Sequence, residues 1–252
     1  MKNFIINAKN IRKLAVAVIW ILVWQLIYVS VNNQLLLASP LQVFERLLEL
    51  IFIKSFWITV LLSIYRIIVG FLLALLVGVI LAIFTTTISF LCDLFQPIIG
   101  IIKATPVASF IILTHVWMKS NEIPIFMSFL MVLPIVWANV SEGIRKTDIK
   151  LLEMAAVFKF SFFQIIRNIY LPSVLPYFMA AFTTGLGMAW KAGVAAEVIT
   201  TPRYSIGAKL YEAKIYLKTV DLFVYTFVII FLSIFIEKTF THFIKLLVKQ
   251  PK

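Results

Sequence analysis

Four stretches of this chain are apolar almost without interruption, over about 14–31, 58–84, 174–198 and 222–245. Each holds the roughly 20 residues a helix needs to cross about 30 Å of hydrocarbon. Between the second and third lies a longer apolar region, about 88–140, punctuated by Pro106 and Pro124. The polar run Lys119-Ser120-Asn121-Glu122 reads as a tight surface loop. It divides the region into spans at about 98–118 and 124–141, with a 2–3 loop at about 85–95. The pattern predicts an all-α, polytopic membrane protein with six transmembrane helices and no room for a soluble domain.

Three segments outside the spans carry helical signals of their own. Leu41 to Ile53 is amphipathic and follows Ser39-Pro40, a capping serine with proline at the first helical position, so it is expected along the outer surface. Ser205 opens a second short outer helix with Ile206, Leu210 and Ile215 near one face. The third is a basic insert between spans 4 and 5. Thr147 or Asp148 can cap a helix running to about Phe158, and Ser161-Phe162-Phe163-Gln164 has the Ser-x-x-Gln form of a capping box. Pro172 is then expected to set the start of span 5. Phe158, Phe160, Phe162 and Phe163 crowd around the turn at Lys159-Phe160. Exposed aromatics are costly, so they fold back on the protein's own spans, lie in headgroups, or fill a groove on a partner.

Composition agrees with the pattern. Of 252 residues 62% are hydrophobic and 13% charged, with a mean hydropathy of +1.04, far from the roughly 25% charged residues of soluble domains. The net charge of +12 is gathered beside apolar runs, which is a topology signal and not a nucleic-acid footprint. With an inside N-terminus, Lys2, Lys9, Arg12 and Lys13, the insert's Arg145, Lys146, Lys150, Lys159 and Arg167, and Lys238, Lys245, Lys249 and Lys252 all lie inside. These thirteen exceed the seven outside, Arg46, Lys54, Lys119, Arg203, Lys209, Lys214 and Lys218, so both termini are expected in the cytoplasm. The basic N-terminus resembles the front of a signal peptide. Its apolar run is too long and lacks a small-residue cleavage site, so it reads as a retained anchor. Cys92 alone excludes an internal disulfide, and His115 and His242 lie too far apart to pair as metal ligands. No cofactor is expected.

The insert also carries a family resemblance. Glu153-Met154-Ala155, three further residues, Lys159, and then Leu171-Pro172 resemble the Glu-Ala-Ala-x3-Gly-x11-Leu-Pro motif of permease subunits of binding-protein-dependent ABC importers. Leu37-Ala38-Ser39-Pro40, the run Leu62 to Phe71 and the run Ala189 to Glu197 look like the nitrate, sulfonate and taurine branch, which includes permeases for thiamine-pyrimidine precursors. The resemblance covers roughly residues 37–245. It implies the six-helix ABC importer permease (MetI-like) fold, an N-terminal part over 1–57, and a permease core over 58–246 with a coupling loop at about 145–172. It further implies cytoplasmic ATPase subunits, an extracytoplasmic substrate-binding protein and a second permease copy, as a homodimer in a prokaryotic plasma membrane. Glu153, Met154, Ala155, Ala156, Phe158, Lys159 and Phe160 would form the coupling surface. Met154 replaces an alanine of the motif and Lys159 its glycine. Glycine there permits a left-handed helix end, which costs another residue about 1 kcal/mol or more. Either Lys159 is strained or the turn differs.

Two intramembrane patterns remain. Arg66, Gly70, Ala74, Gly78 and Ala82 recur every four residues and make a small-residue ridge for helix packing. Arg66 heads it, and is expected to snorkel or pair with a carboxylate. Thr184, Gly187 and Lys191 share a face of span 5, beside a seam of Gly185, Ala189 and Gly193. Lys191 either neutralises an anionic substrate in the pathway, or snorkels, or pairs with Glu197 or a neighbouring subunit.

No Gly-x4-Gly-Lys-Ser/Thr occurs, so the energy source is expected on a separate ATPase and the chain is not an enzyme. A membrane-embedded enzyme would need converging catalytic groups, of which His115 is only an isolated candidate. The alternative is an autonomous channel or secondary carrier, which would usually show intramembrane carboxylates or an internal repeat. The implied substrate is a small anion, a sulfonate or a thiamine precursor.

Overall fold

The computed structural model describes the backbone of residues 2–248 and the side chains of 11–240. The side chains of Lys2, Lys9, His242, Lys245, Lys249 and Lys252 lie outside the described residues. The chain forms α1 (Lys2–Val31), α2 (Pro40–Ile51), α3 (Lys54–Thr87), α4 (Ser89–Ala104), α5 (Val107–Thr114) and α6 (Ile123–Arg145). There follow α7 (Ile149–Val157), α8 (Phe162–Ile165), α9 (Leu171–Thr200), α10 (Ile206–Ile215) and α11 (Thr219–Val248). Among the described residues there is no strand. Among the described residues five helices are long and apolar enough to cross a bilayer, and α4 and α5 form an apolar pair bent by 103°, the geometry of a broken span or a re-entrant loop.

The bend corrects two expectations. Residues 98–118 are not one straight span, and 85–95 is not a loop. Helix α3 continues to Thr87 and α4 begins at Ser89, with the extended Ile88 (φ −123°, ψ 104°) as the only separation. The break falls instead at Thr105-Pro106. Proline disfavours helical backbone in the residue before it, and Thr105 is extended at ψ 131°. Pro172 departs from expectation for a related reason. The helix is already running from Phe162, and a π-helical turn over Ile166–Tyr170 carries it into α9. In that wider turn Leu171 N–H bonds back to Ile166 O. The shift in register accommodates a residue with no N–H, so Pro172 lies inside a continuous helix of 39 residues.

Helix α6 is the centre of the bundle, held between α3 and α9. The expected ridge is its contact: Arg66, Gly70, Ala74, Gly78 and Ala82 are all buried. A Cβ on Gly70 would run into the Ile125 carbonyl and Ser128, so only hydrogen allows the two backbones to approach this closely. From the other side, Ser128 Oγ donates to Ala189 O at 3.1 Å. A Cβ on Gly193 would sit 2.5 Å from Ile67 Cγ1 and 2.7 Å from Ser128 Oγ. Phe71 and Phe182 meet edge to face, 4.9 Å apart, where α3 touches α9. Helix α1 stands apart. Trp24 stacks on Phe223 and Phe227 and donates to Ala38 O at 3.1 Å, while most other described side chains of α1 are exposed.

Both short helices expected between the spans form where the sequence places them. Ser39 and Gln42 cap α2 reciprocally, and Ser205 Oγ accepts from Ala208 N at 3.0 Å to start α10. Ile206 is fully buried and Leu210 packs beside it, but Ile215 is exposed and does not share their face. Because the α3–α6–α9 contact has no spare volume, Gly193→Leu should destabilise the protein by about 1–3 kcal/mol. Thermal unfolding in detergent, beside a control at the open Gly100, measures it.

Candidate functional site

The insert is built by backbone hydrogen bonding and leaves its apolar side chains outside. Of the two possible caps, Asp148 serves: its Oδ1 accepts from Lys150 N at 2.9 Å. Thr147 instead donates to Gly143 O at 3.3 Å. Helix α7 ends with Lys159 N–H on Ala156 O at 3.1 Å and Phe160 N–H on Ala155 O at 2.9 Å. These two bonds define a Schellman ending, with Lys159 in its left-handed position at φ 53°. The turn keeps the shape a glycine would give it, and Lys159 bears the strain. Ser161 and Gln164 then form the capping box, with Gln164 N on Ser161 Oγ at 3.4 Å and Ser161 N on Gln164 Oε1 at 2.8 Å.

Of the seven candidate coupling residues, Ala155 is fully buried and Phe160 half-buried. Glu153, Met154, Ala156, Phe158 and Lys159 are exposed. Phe158 is 69% exposed, Phe162 80% and Phe163 69%. Three of the four phenylalanines therefore do not fold back on the protein's own spans. Val157 and Ile149 extend the apolar surface, and Lys150 and Arg167 border it.

On α9, Thr184 and Lys191 are exposed and Gly187 is half-buried, with nothing within 4 Å of where its Cβ would stand. The three share an open face, and the seam of Gly185, Ala189 and Gly193 is buried on the far side of the helix and not beside them as expected, since 100° per residue puts the two sets about half a turn apart. Lys191 does not pair with Glu197. That carboxylate is fully buried and belongs to Arg66, whose Nη1 lies 3.4 Å from Glu197 Oε1. Ser63 Oγ donates to Glu197 Oε2 at 2.8 Å, and Gly207 N donates to the same oxygen at 3.2 Å. Arg66 Nη1 also donates to Tyr204 O, and Nη2 to Arg203 O and Asn121 Oδ1, at 3.0–3.2 Å. This polar knot joins α3, the turn before α6, the end of α9 and the start of α10, at the end of the bundle opposite the insert.

A family model described as the binding-protein-dependent transport system inner membrane component matches residues 74–249. The chain belongs to that family. It is 26% identical over 207 residues to the nitrate import permease protein NrtB of Synechocystis, covering 78% of this chain and 74% of that one. It is 31% identical over 147 residues to NrtB of Synechococcus elongatus, covering 58% and 53%. It is also 28% identical over 209 residues to a Bacillus subtilis protein described as the aliphatic sulfonates transport permease SsuC, covering 81% and 74%. The protein is thus an ABC importer permease of the nitrate and sulfonate branch, with a multi-pass, all-α fold.

In the permease, sequence spacing found the α9 face and the insert but missed the knot's full membership. Arg66 and Glu197 are visible as charges within apolar runs. Nothing local tells that Asn121, Arg203 and Tyr204 converge on Arg66, because they lie 55 to 138 residues from it, nor that Ser63 reaches Glu197 from 134 residues away. The packing of Lys103 is equally invisible in the local sequence. Its ammonium lies 5.8 Å from the Trp137 ring centroid, at the end of α4 beside the Thr105-Pro106 break.

Removing one member of a buried ion pair strands the other charge. Arg66→Met should therefore cost about 3–5 kcal/mol, and combining it with Glu197→Leu should recover part of the loss. Thermal unfolding of the two single variants and the double variant tests the coupling.

Proposed function

We propose that the permease is driven through its insert by a separate cytoplasmic ATPase, and that two copies form a pathway for a small anion delivered by an extracytoplasmic binding protein. The observation that carries this reading is the exposed phenylalanine surface around Lys159. A soluble partner with an apolar cleft covers Phe158, Phe162 and Phe163, which otherwise face water at real cost. The insert then marks the cytoplasmic side, with both termini on that side and the knot on the outer side. Residues 1–57 serve as anchor and outer segment, and 58–246 as the permease core with its coupling loop at 145–172.

The anionic substrate class rests on two supports. Relatives are named for nitrate and aliphatic sulfonates. Lys191 supplies a cation on an open face of α9 that pairs with no carboxylate among the described residues, since Glu197 is already taken by Arg66. In hydrocarbon surroundings such a charge attracts an anion strongly.

Co-purification with the ATPase tests the coupling. Phe158→Asp should abolish it while leaving the permease's own unfolding temperature unchanged, because the side chain packs on little of its own chain. Lys159→Gly should retain ATPase binding and stabilise the permease by about 1 kcal/mol through relief of the left-handed backbone. Failure to recover any ATPase with the wild-type permease would favour an autonomous channel or carrier.

Lys191→Gln should lower anion uptake by roughly tenfold, the factor that 1.4 kcal/mol of lost attraction gives, with complex assembly unchanged. Unchanged uptake would remove Lys191 from the pathway. Mass spectrometry of the ligand held by the co-purified binding protein identifies the substrate.

A further inference from the structure

Helix α2 has three faces, where an ordinary surface helix has two. Successive residues turn by about 100°, so its side chains sort into three edges. Val43 and Leu50 are buried and pack with Phe56, Val60 and Val224. Gln42, Glu45, Arg46 and Glu49 form a polar edge, on which Arg46 is held by Asp221 at 2.7 Å and Glu49 at 2.6 Å. The third edge is apolar and uncovered: Leu41 is 65% exposed, Phe44 58%, Leu48 43% and Phe52 87%.

We propose that this third edge is a membrane-interface anchor, seated among lipid headgroups and upper acyl chains of the leaflet opposite the insert. Four observations commit it to lipid. First, only Phe52 and Ile53 separate α2 from Lys54, where α3 begins, so α2 is held at the level of that helix end. Second, α3 has 34 residues, about 51 Å of helix, which exceeds the roughly 30 Å hydrocarbon core, and it opens on the exposed polar Lys54 and Ser55, which suit its first turn to headgroup depth. Third, beyond Lys54 and Ser55 the exposed Trp57, Leu61 and Tyr65 of that span present further apolar surface. Trp57 has the placement of an interfacial indole, with its Nε1 donating to Ile51 O at 2.8 Å. Fourth, the charged groups lie along a separate edge, and Arg46 clamps that edge to Asp221 in the first turn of α11. The clamp sets the rotation of α2, so its polar edge points to water while its phenylalanines point sideways and down. The anchor fixes how deep and at what tilt the bundle sits, independently of the coupling surface and the substrate.

Single cysteines placed at Phe44, Phe52, Glu45 and Glu49 in a Cys92→Ser full-length permease, spin-labelled and reconstituted in phosphatidylethanolamine and phosphatidylglycerol vesicles, test it. The readout is the accessibility of each label to oxygen, which partitions into lipid, against a water-soluble nickel chelate. The expected result is a change of sign in the logarithm of that ratio, oxygen dominating at Phe44 and Phe52 and nickel at Glu45 and Glu49. Nickel dominating at Phe44 and Phe52 would place the edge in water and overturn the proposal. Exclusion of both reagents there would show a second copy or another protein covering it, and would overturn it equally. Phe52 packs on almost nothing, so its label reports even if the Phe44 variant folds poorly.

Discussion

A carboxylate with no access to water organises the far end of this permease. Glu197 is fully buried at the last turn of α9, and a charge in such a place persists only with a full set of partners. Arg66 supplies the opposite charge, Ser63 a hydroxyl and Gly207 a backbone amide. Each partner in the network fixes an element in turn. Arg66 sets the register of α3 against α9, Gly207 brings the first turn of α10 onto the end of α9, and Asn121 ties in the turn before α6. Gly207 can approach only because it has no Cβ, which would collide with Glu197. Once this knot is closed, α3, α6 and α9 are aligned along their small-residue seams, and the rest of the chain arranges itself around that triangle.

Local chemistry in the sequence revealed much of this fold, and long-range chemistry revealed less. The capping serine at Ser39, the capping box at Ser161, the ridge from Arg66 to Ala82 and the face shared by Thr184, Gly187 and Lys191 all depend on residues within a turn or two of each other, and all are found in the structure. The errors lie where one local rule competes with another. Pro106 breaks the helix at the residue before it, as its chemistry requires. Pro172 does not, because the π-helical turn at Ile166–Tyr170 moves the missing hydrogen bond to a register where it is not needed. Hydropathy alone cannot distinguish those two prolines. Nor can it show that α3 and α4 are divided by Ile88 alone, since continuous apolar sequence reads the same on either side of a one-residue break.

The two ends of the permease use opposite strategies. At the knot, polar groups are drawn inward and matched. At the insert, apolar groups are pushed outward and left unmatched, while a Schellman ending and a capping box satisfy the backbone beneath them. Lys159 shows how strongly that backbone geometry is specified. The left-handed conformation persists without glycine because two hydrogen bonds close the turn around it.

The unbroken helix from Phe162 to Thr200 joins these two ends directly. At about 1.5 Å per residue its 39 residues measure roughly 58 Å, longer than the membrane is thick. Such a rod is a lever arm: a tilt of about 5° at the insert displaces its far tip by about 5 Å, more than the reach of any hydrogen bond in the knot. Glu197 sits at that tip. The same helix that offers its first turn to the surface beside Lys159 therefore carries, at its other end, the charge on which the closed arrangement depends.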